Sequence, residues 1–307
     1  MSRLFGAYVI VDWSSASKPV TGTESIAIGV LKRDVRFRLA YEGFTCATRA
    51  EAEKRLGLVF DDLKKRNEKA FLGLPFPLGL PRGFAAAMKL PGAPWQGTLD
   101  LIDKMAKDKA DNVNNRFGVG AEINRRLTGG PFPFWGVPPK DALTTLQPKR
   151  GHDHGEGDLP EFRHADIAIH AAATPPAKGG PTPIWKLYYA GQIGGLTILG
   201  LPMLKRLKKA RGEGHVKLWP FETGWKPLTP ADLDGVEVLA AEVRLGQHKS
   251  QPAAVGGRDH TEVRGLAEHF AKLDETGKLA AAFAPPKTAS PDEIAAVEQE
   301  EGWAITG

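Results

Sequence analysis

The first 82 residues alternate apolar and polar stretches in a pattern that predicts a β-β-β-α-β unit. Residues 6–12 hold an unbroken apolar run, which is typical of a strand covered on both faces. Residues 24–31 and 35–43 predict two more strands joined by a short hairpin. A helix over 48–66 and a short buried strand over 70–74 complete the unit.

The rest of the chain is less regular. Residues 83–229 predict a large, mostly helical insertion with Pro/Gly-rich loops and a Pro/Gly/Ala linker at 172–183. Two apolar segments, 216–221 and 236–245, predict strands, and 261–273 predicts an amphipathic helix.

These elements predict one α/β domain that occupies all of residues 1–307. Its core consists of residues 1–82 and 230–275, which enclose the insertion at 83–229. A C-terminal helix and tail occupy residues 276–307.

Composition places the chain among ordinary soluble globular proteins, with 42% hydrophobic and 25% charged residues. No apolar run approaches the ~20 residues that a membrane-spanning helix needs, so we expect no membrane partner. The first predicted strand begins too near the N-terminus to leave room for a signal peptide, which predicts a cytoplasmic location. Because Cys46 is the single cysteine, an internal disulfide and a multi-thiolate metal site are excluded.

The formal net charge of +5 permits a polyanionic partner without requiring one. Part of the excess lies between Pro202 and Lys226, where seven Lys or Arg residues stand against two Glu residues. Trp219, Phe221 and Trp225 lie in the same stretch, so this segment could hold a polyanion by charge and stacking. The alternative is that the cations form the solvated face of a helix.

Asp12 is the first candidate for chemistry, because it ends the first predicted strand and is followed by Ser14, Ser15 and Ser17. RNase H-like nucleases and actin/sugar-kinase ATPases both place an Asp at this point to hold Mg²⁺ or to organise phosphates. The alternative is an Asp that only starts a turn after a core strand.

Three other carboxylates stand at ends of predicted elements or within them. Glu242 lies inside a predicted strand, where burial is costly unless the carboxylate is paired or metal-bound. Glu222 follows a short apolar strand, and Asp259 precedes a helix that it could simply cap. The loop at 151–158 alternates His, Asp and Glu with glycines, but no regular element fixes these side chains as metal ligands.

Five segments together resemble the predicted RNase H-like nuclease family known as domain of unknown function 429. In chain order they are Val9-Ile-Val-Asp-Trp-Ser-Ser15, Phe76-Pro-Leu-Gly-Leu-Pro81, Ala241-Glu-Val243, Arg258-Asp-His-Thr-Glu-Val263 and Glu300-Glu-Gly-Trp303. The resemblance implies an RNase H-like mixed five-stranded sheet of order 3-2-1-4-5 flanked by helices.

The resemblance also implies hydrolysis of phosphodiester bonds with Mg²⁺ or Mn²⁺ as cofactor. It points to Asp12, Glu242 and Asp259 as metal ligands and catalytic residues, with Glu222 as an auxiliary. The family often has an acid where this chain has Pro75, and the loss of that acid would weaken metal affinity.

Two other functions remain open at this point. Pro75 favours a non-catalytic protein that binds nucleic acid or nucleotide on the same fold. The serines after Asp12 could instead form the first phosphate loop of an actin/sugar-kinase-like phosphotransferase. That class needs a second Asp-Gly-Thr-like loop, and no such tripeptide occurs in this chain.

Overall fold

A computed structural model describes residues 3–172, 180–246, 248 and 250–305 of the chain. Most of the predicted linker, residues 173–179, lies outside the described residues. The main sheet contains β1 (Ala7–Asp12), β2 (Ile26–Arg33), β3 (Leu39–Cys46), β4 (Ala70–Leu74), β5 (Val216–Leu218), β6 (Val238–Val243) and β9 (Ala304–Ile305), and a small hairpin contains β7 (Ala254–Val255) and β8 (Arg258–Asp259). The helices are α1 (Arg49–Lys65), α2 (Phe84–Ala87), α3 (Pro94–Met105), α4 (Arg116–Leu127), α5 (His164–Ala172), α6 (Gly194–Arg211), α7 (Thr261–Glu275), α8 (Leu279–Ala282) and α9 (Pro291–Ala296).

The chain forms a mixed α/β sheet with β1 near its centre. Strand β1 pairs antiparallel with β2 and parallel with β4, and β2 pairs antiparallel with β3. Strand β4 then pairs parallel with β6. The predicted α/β class and the central position of the first strand are therefore confirmed.

The prediction of five strands was wrong, because the sheet has seven within the described residues. Six of them follow the order β3-β2-β1-β4-β6-β5, and β9 pairs with β6 off this path. Strand β5, from the predicted insertion, pairs with the first half of β6. Strand β9, from the predicted tail, pairs with the second half of the same strand. Both additions satisfy the free edge of β6, whose backbone groups would otherwise lack partners in a buried position.

The hairpin between β2 and β3 lies later in the chain than predicted. The Asp34 carboxylate accepts the backbone N–H groups of Arg36 and Arg38, so residues 35–38 form a turn and not the start of a strand. Phe37 consequently has a φ of 61° and is 79% exposed.

Helix α1 begins where the sequence predicts. The Thr48 hydroxyl accepts the Glu51 N–H at 3.2 Å, and the Glu51 carboxylate accepts the Thr48 N–H at 3.3 Å. This reciprocal pair satisfies two backbone donors that the first helical turn leaves free.

The side chains of each strand alternate between two buried clusters, one on each face of the sheet. Val9 and Val11 of β1 face the cluster packed by α1, α3, α4 and α6, whereas Tyr8 and Ile10 face the cluster packed by α7. On β6, Val238 and Ala240 share the face of Val9. This alternation decides which strand-end side chains can meet.

Candidate functional site

Asp12 lies at the carboxyl end of β1 and continues the face of Tyr8 and Ile10, which is the face covered by α7. Its carboxylate pairs with the guanidinium of Arg258, which also contacts the backbone oxygen of Thr23. Asp12, Arg258, Asp259 and Glu262 line one pocket of about 460 Å³. The structure therefore brings Asp12 and Asp259 to the same pocket, where the Arg258 guanidinium is paired with Asp12.

Glu242 lies on the other face of the sheet. By alternation with Val238 and Ala240 it points away from α7, and its side chain is 2% exposed. Both of its oxygens accept hydrogen bonds from Arg163, each at 2.8 Å. The predicted convergence of Glu242 with Asp12 was wrong, because side chains on opposite faces of one sheet cannot share a metal ion.

Arg163 connects Glu242 to a buried ionic cluster. It also donates to both oxygens of Asp166, at 3.1 and 2.9 Å, and Arg244 donates to Asp166 at 3.0 Å. Burial alone lowers the pKa of Arg163, but the two carboxylates outweigh it and raise that pKa. Glu242 therefore serves as the partner of a buried arginine.

The other two predicted carboxylates also have local partners. Asp259 accepts the N–H of Thr261 at 2.8 Å at the start of α7, and hydrogen bonds from Thr261 lower the pKa of Asp259. Glu222 accepts Nζ of Lys208 at 2.8 Å and the N–H of Leu218 at 2.8 Å. Because these bonds turn Glu222 back onto its own strand and α6, it does not serve as an auxiliary acid for Asp12.

The residues present do not fit a shared divalent ion. Asp12 is paired with a cation, Glu242 is on the wrong face, and Asp259 caps a helix. Position 75, which follows β4 on the Asp12 face, holds a proline that has no ligand atom in its side chain. Among the residues that the structure describes, no three His, Cys, Asp or Glu side chains are placed to hold one metal ion.

Part of the basic stretch between Pro202 and Lys226 already has partners within the fold. Lys205, Arg206 and Arg211 pair with acids of α3 and α1 and so fasten α6 to its neighbours. Trp219 and Trp225 are fully or almost fully buried, and Phe221 stacks on Trp95. The predicted stacking of these three rings on a polyanion therefore has no support in this segment.

The loop after Asp12 lies on the other side of the strand end and is held by Arg49 of α1. The Arg49 guanidinium donates to the backbone oxygens of Ser14 and Ala16 at 3.0 and 2.8 Å. Its own charge is balanced by Asp108, whose two oxygens accept at 2.6 Å each. The serine loop is therefore fixed by a fully paired arginine.

A second arginine, Arg116, stands at the start of α4 beside this loop and is only 5% exposed. Its Nη1 donates to Ser17 Oγ at 2.7 Å and to Asn114 Oδ1 at 2.9 Å, and its Nε is buried with no hydrogen-bond partner. Within the described ranges its side-chain hydrogen bonds go to neutral groups, and its Cζ lies 4.2 Å from the centre of the Phe117 ring. Burial and, next, the charge of Arg49 lower the pKa of Arg116 to about 10, so it stays cationic at neutral pH.

Arg116 lines the wall of a cavity of about 860 Å³, within the size range of small-molecule sites. Ser15, Ser17 and Gln192 supply polar groups, and Gln192 Nε2 donates to Ser15 Oγ at 2.7 Å. Lys18 and Lys140 add positive charge against one acid, Asp141. We call this cavity the Arg116 pocket.

Aromatic rings form another wall of the Arg116 pocket. Phe117 and Tyr188 meet edge to face with centroids 6.0 Å apart, and Tyr188 and Tyr189 lie 4.8 Å apart. The two tyrosines are 37% and 43% exposed, although aromatic side chains are usually covered. The pocket thus combines a buried cation with exposed π-faces.

No motif of the sequence predicts a role for Arg116. The glycine pattern at 191–195 is a sequence signal that relates to this arginine. A Cβ on Gly195 would press on Gln192 and on the Arg116 side chain. Gly195 therefore leaves the space in which that arginine packs.

Among the described residues, no helix is both long and apolar enough to cross a lipid bilayer. Comparison of the chain with protein-family models, with curated proteins and with solved structures found no match.

Proposed function

We propose that this protein binds a nucleotide or a nucleic-acid strand on an RNase H-like fold, and that a phosphate of the ligand pairs with Arg116. The observation that carries the proposal is a buried arginine that has no carboxylate partner within the described residues and lines a pocket with polar and aromatic groups. Arginine is well suited to phosphate because its planar N–H groups match two phosphate oxygens.

The contrast between two neighbouring arginines supports this assignment. Arg49 is as buried as Arg116, but Asp108 neutralises it with two short hydrogen bonds. A buried charge without such a partner costs several kcal/mol in desolvation. The Phe117 ring, 4.2 Å from the Arg116 Cζ, offsets part of that cost, and a ligand phosphate would offset more of it.

The remaining lining of the Arg116 pocket agrees with a nucleotide. Ser15 and Ser17 offer hydroxyls to phosphate oxygens, as expected for the serine loop after Asp12. The rings of Tyr188 and Tyr189 offer surfaces for a base, and such stacking contributes about 1–3 kcal/mol per base.

The test compares Arg116→Met with Arg36→Met, which removes an equal charge from the exposed β2–β3 turn. Binding of thymidine monophosphate and of a labelled ten-residue oligothymidylate would be measured by calorimetry and fluorescence anisotropy. We expect Arg116→Met to weaken both at least tenfold and Arg36→Met to leave both nearly unchanged. Equal affinities in the two variants would refute the proposal.

The melting temperature gives an independent readout of the same variant. If Arg116 is kept for a ligand, its removal relieves a buried charge, and the melting temperature should stay constant or rise. If Arg116 only supports the fold, Arg116→Met should melt lower than wild type and binding should fall only because the protein unfolds.

Phosphodiester hydrolysis with Mg²⁺ or Mn²⁺ is a second candidate, which the family resemblance implies. One observation favours it, namely that Asp12, Asp259 and Glu262 line a common pocket. Cleavage of DNA or RNA that depends on the metal ion and disappears in Asp12→Asn would support it. A melting temperature that Mg²⁺ raises equally in wild type and Asp12→Asn would remove Asp12 from any metal site.

A further inference from the structure

A second pocket lies beside the Arg116 pocket in the fold and has a similar chemistry. It measures about 420 Å³ and is lined by Trp135, Lys149, Arg150 and Lys186, together with Glu161. Lys186 Nζ lies 5.6 Å from the centre of the Trp135 indole ring. We call this cavity the Trp135 pocket.

The same two chain segments line both pockets. Residues 134–138 and 185–189 run side by side, since Trp135 N–H donates to Trp185 O at 3.0 Å and Leu187 N–H donates to Trp135 O at 2.9 Å. Trp185 and Leu187 are buried in the core. Lys186, which lies between them, lines the Trp135 pocket. Tyr188, which follows Leu187, lines the Arg116 pocket.

The two pockets adjoin along this segment. Lys186 of the Trp135 pocket and Tyr188 of the Arg116 pocket are separated by one residue in the chain. Gly191 and Gln192, which line the Trp135 pocket and the Arg116 pocket respectively, are direct neighbours. A chain of nucleotides can therefore place one unit in each pocket.

The charges of the Trp135 pocket favour the same ligand. Arg150 is paired with Glu161 at 2.5 Å and with Asp153 at 2.6 Å, so its charge is already balanced. Lys149 is exposed. Lys186 Nζ lies over one face of the Trp135 ring and donates to the Ala190 backbone oxygen at 2.6 Å, so a base would stack on the other face or displace this lysine. The pocket thus presents two lysines beside one aromatic face, a combination used for single strands regardless of sequence.

We propose that the ligand is a single-stranded nucleic acid that spans both pockets, with a phosphate at Arg116 and a neighbouring base on Trp135. This inference rests on the proposed function and adds the class of ligand, a single strand of two or more nucleotides. A mononucleotide would fill the Arg116 pocket and leave Trp135 without a partner.

The test measures affinity against chain length with 5′-phosphorylated oligothymidylates of one to six residues. Wild type should gain affinity between one and about four residues. Trp135→Leu should lose about 5- to 100-fold of the affinity for the longer strands and none of that for the monophosphate. Trp95→Leu is the control, because Trp95 is another half-buried indole that stacks on Phe221 elsewhere in the fold.

The outcomes separate this inference from the proposed function. If the monophosphate binds through Arg116 but affinity does not rise with length, the two-pocket strand is refuted and the proposed function stands. If Arg116→Met weakens the binding of no oligothymidylate, both the proposed function and the two-pocket strand are refuted. A DNA duplex that binds as tightly as the single strand would also overturn the inference, since paired bases cannot reach an aromatic side chain.

A variant that keeps the indole guards against a folding defect. The double variant Lys149→Gln with Lys186→Gln leaves Trp135 in place. The slope of log affinity against log salt concentration should become shallower by an amount that corresponds to one to two lost phosphate contacts. An unchanged salt dependence in this double variant would overturn the path through the Trp135 pocket.

Discussion

The thermal stability of the Glu242→Gln variant distinguishes a structural role of this carboxylate from a role as a metal ligand. The ionic cluster holds two cations, Arg163 and Arg244, and two anions, Asp166 and Glu242, so its formal charge is zero. Glutamine removes one charge and leaves residue 242 with one acceptor oxygen in place of two, while Arg163 keeps its bonds to Asp166 and to the Glu301 backbone oxygen. Loss of one partner of a buried ion pair costs about 3–5 kcal/mol, and we expect the lower end because one hydrogen bond survives.

About 3 kcal/mol corresponds to a fall in melting temperature of roughly 5 °C for a chain of this size. The assay is calorimetric or fluorescence-detected melting in metal-free buffer. Glu268→Gln is the matched control, because Glu268 pairs with Arg264 at 2.7 Å but is 40% exposed, and such pairs contribute about 0.5 kcal/mol or less. A carboxylate kept for metal would repel its neighbours, so a Glu242→Gln protein that melts at or above the wild-type temperature would refute the structural role.

Three further perturbations follow from contacts elsewhere in the fold. Hydrogen bonding to Glu301 raises the pKa of His164 above its ordinary 6.5. This pair therefore stabilises the protein fully below pH 6.5, and the contribution is lost as the pH rises through the folded-state pKa. His164→Gln should flatten this part of the curve of unfolding free energy against pH. Asp274→Asn should cost about 2–3 kcal/mol in urea unfolding, because the buried carboxylate accepts two backbone N–H groups and a tyrosine hydroxyl near the chain start. Gly79→Ala should destabilise by at least about 3 kcal/mol, seen as a lower urea midpoint, because its new Cβ would clash with the backbone oxygen of Glu300.

The first part of the fold could be predicted because its signals are local. An unbroken apolar strand, a reciprocal cap between Thr48 and Glu51, and a buried strand at 70–74 depend on neighbours within a few residues. Strands β5 and β9 were harder to place, because runs of two or three residues carry no period, and the two strands pair with β6 from positions before and after it in the chain. Their positions depend on tertiary packing.

The candidate site could not be predicted in the same way. Strand β6 is buried on both faces, so its sequence has no alternation to show which way Glu242 points. The partner that explains this glutamate, Arg163, lies 79 residues earlier in the chain. An acid inside an apolar strand requires a partner, but the strand alone does not reveal whether that partner is a metal ion or an arginine.

The end of β1 explains why binding is better supported than cleavage. Asp12 points to the α7 face, where Arg258 occupies its carboxylate. The next residues cross to the other face, where Arg49 holds the serine loop beside Arg116. A phosphate seated at Arg116 would therefore lie across the sheet edge from the acid that a nuclease mechanism would use. If the proposed function holds, the groups that would bind the nucleotide are separated by the sheet from Asp12.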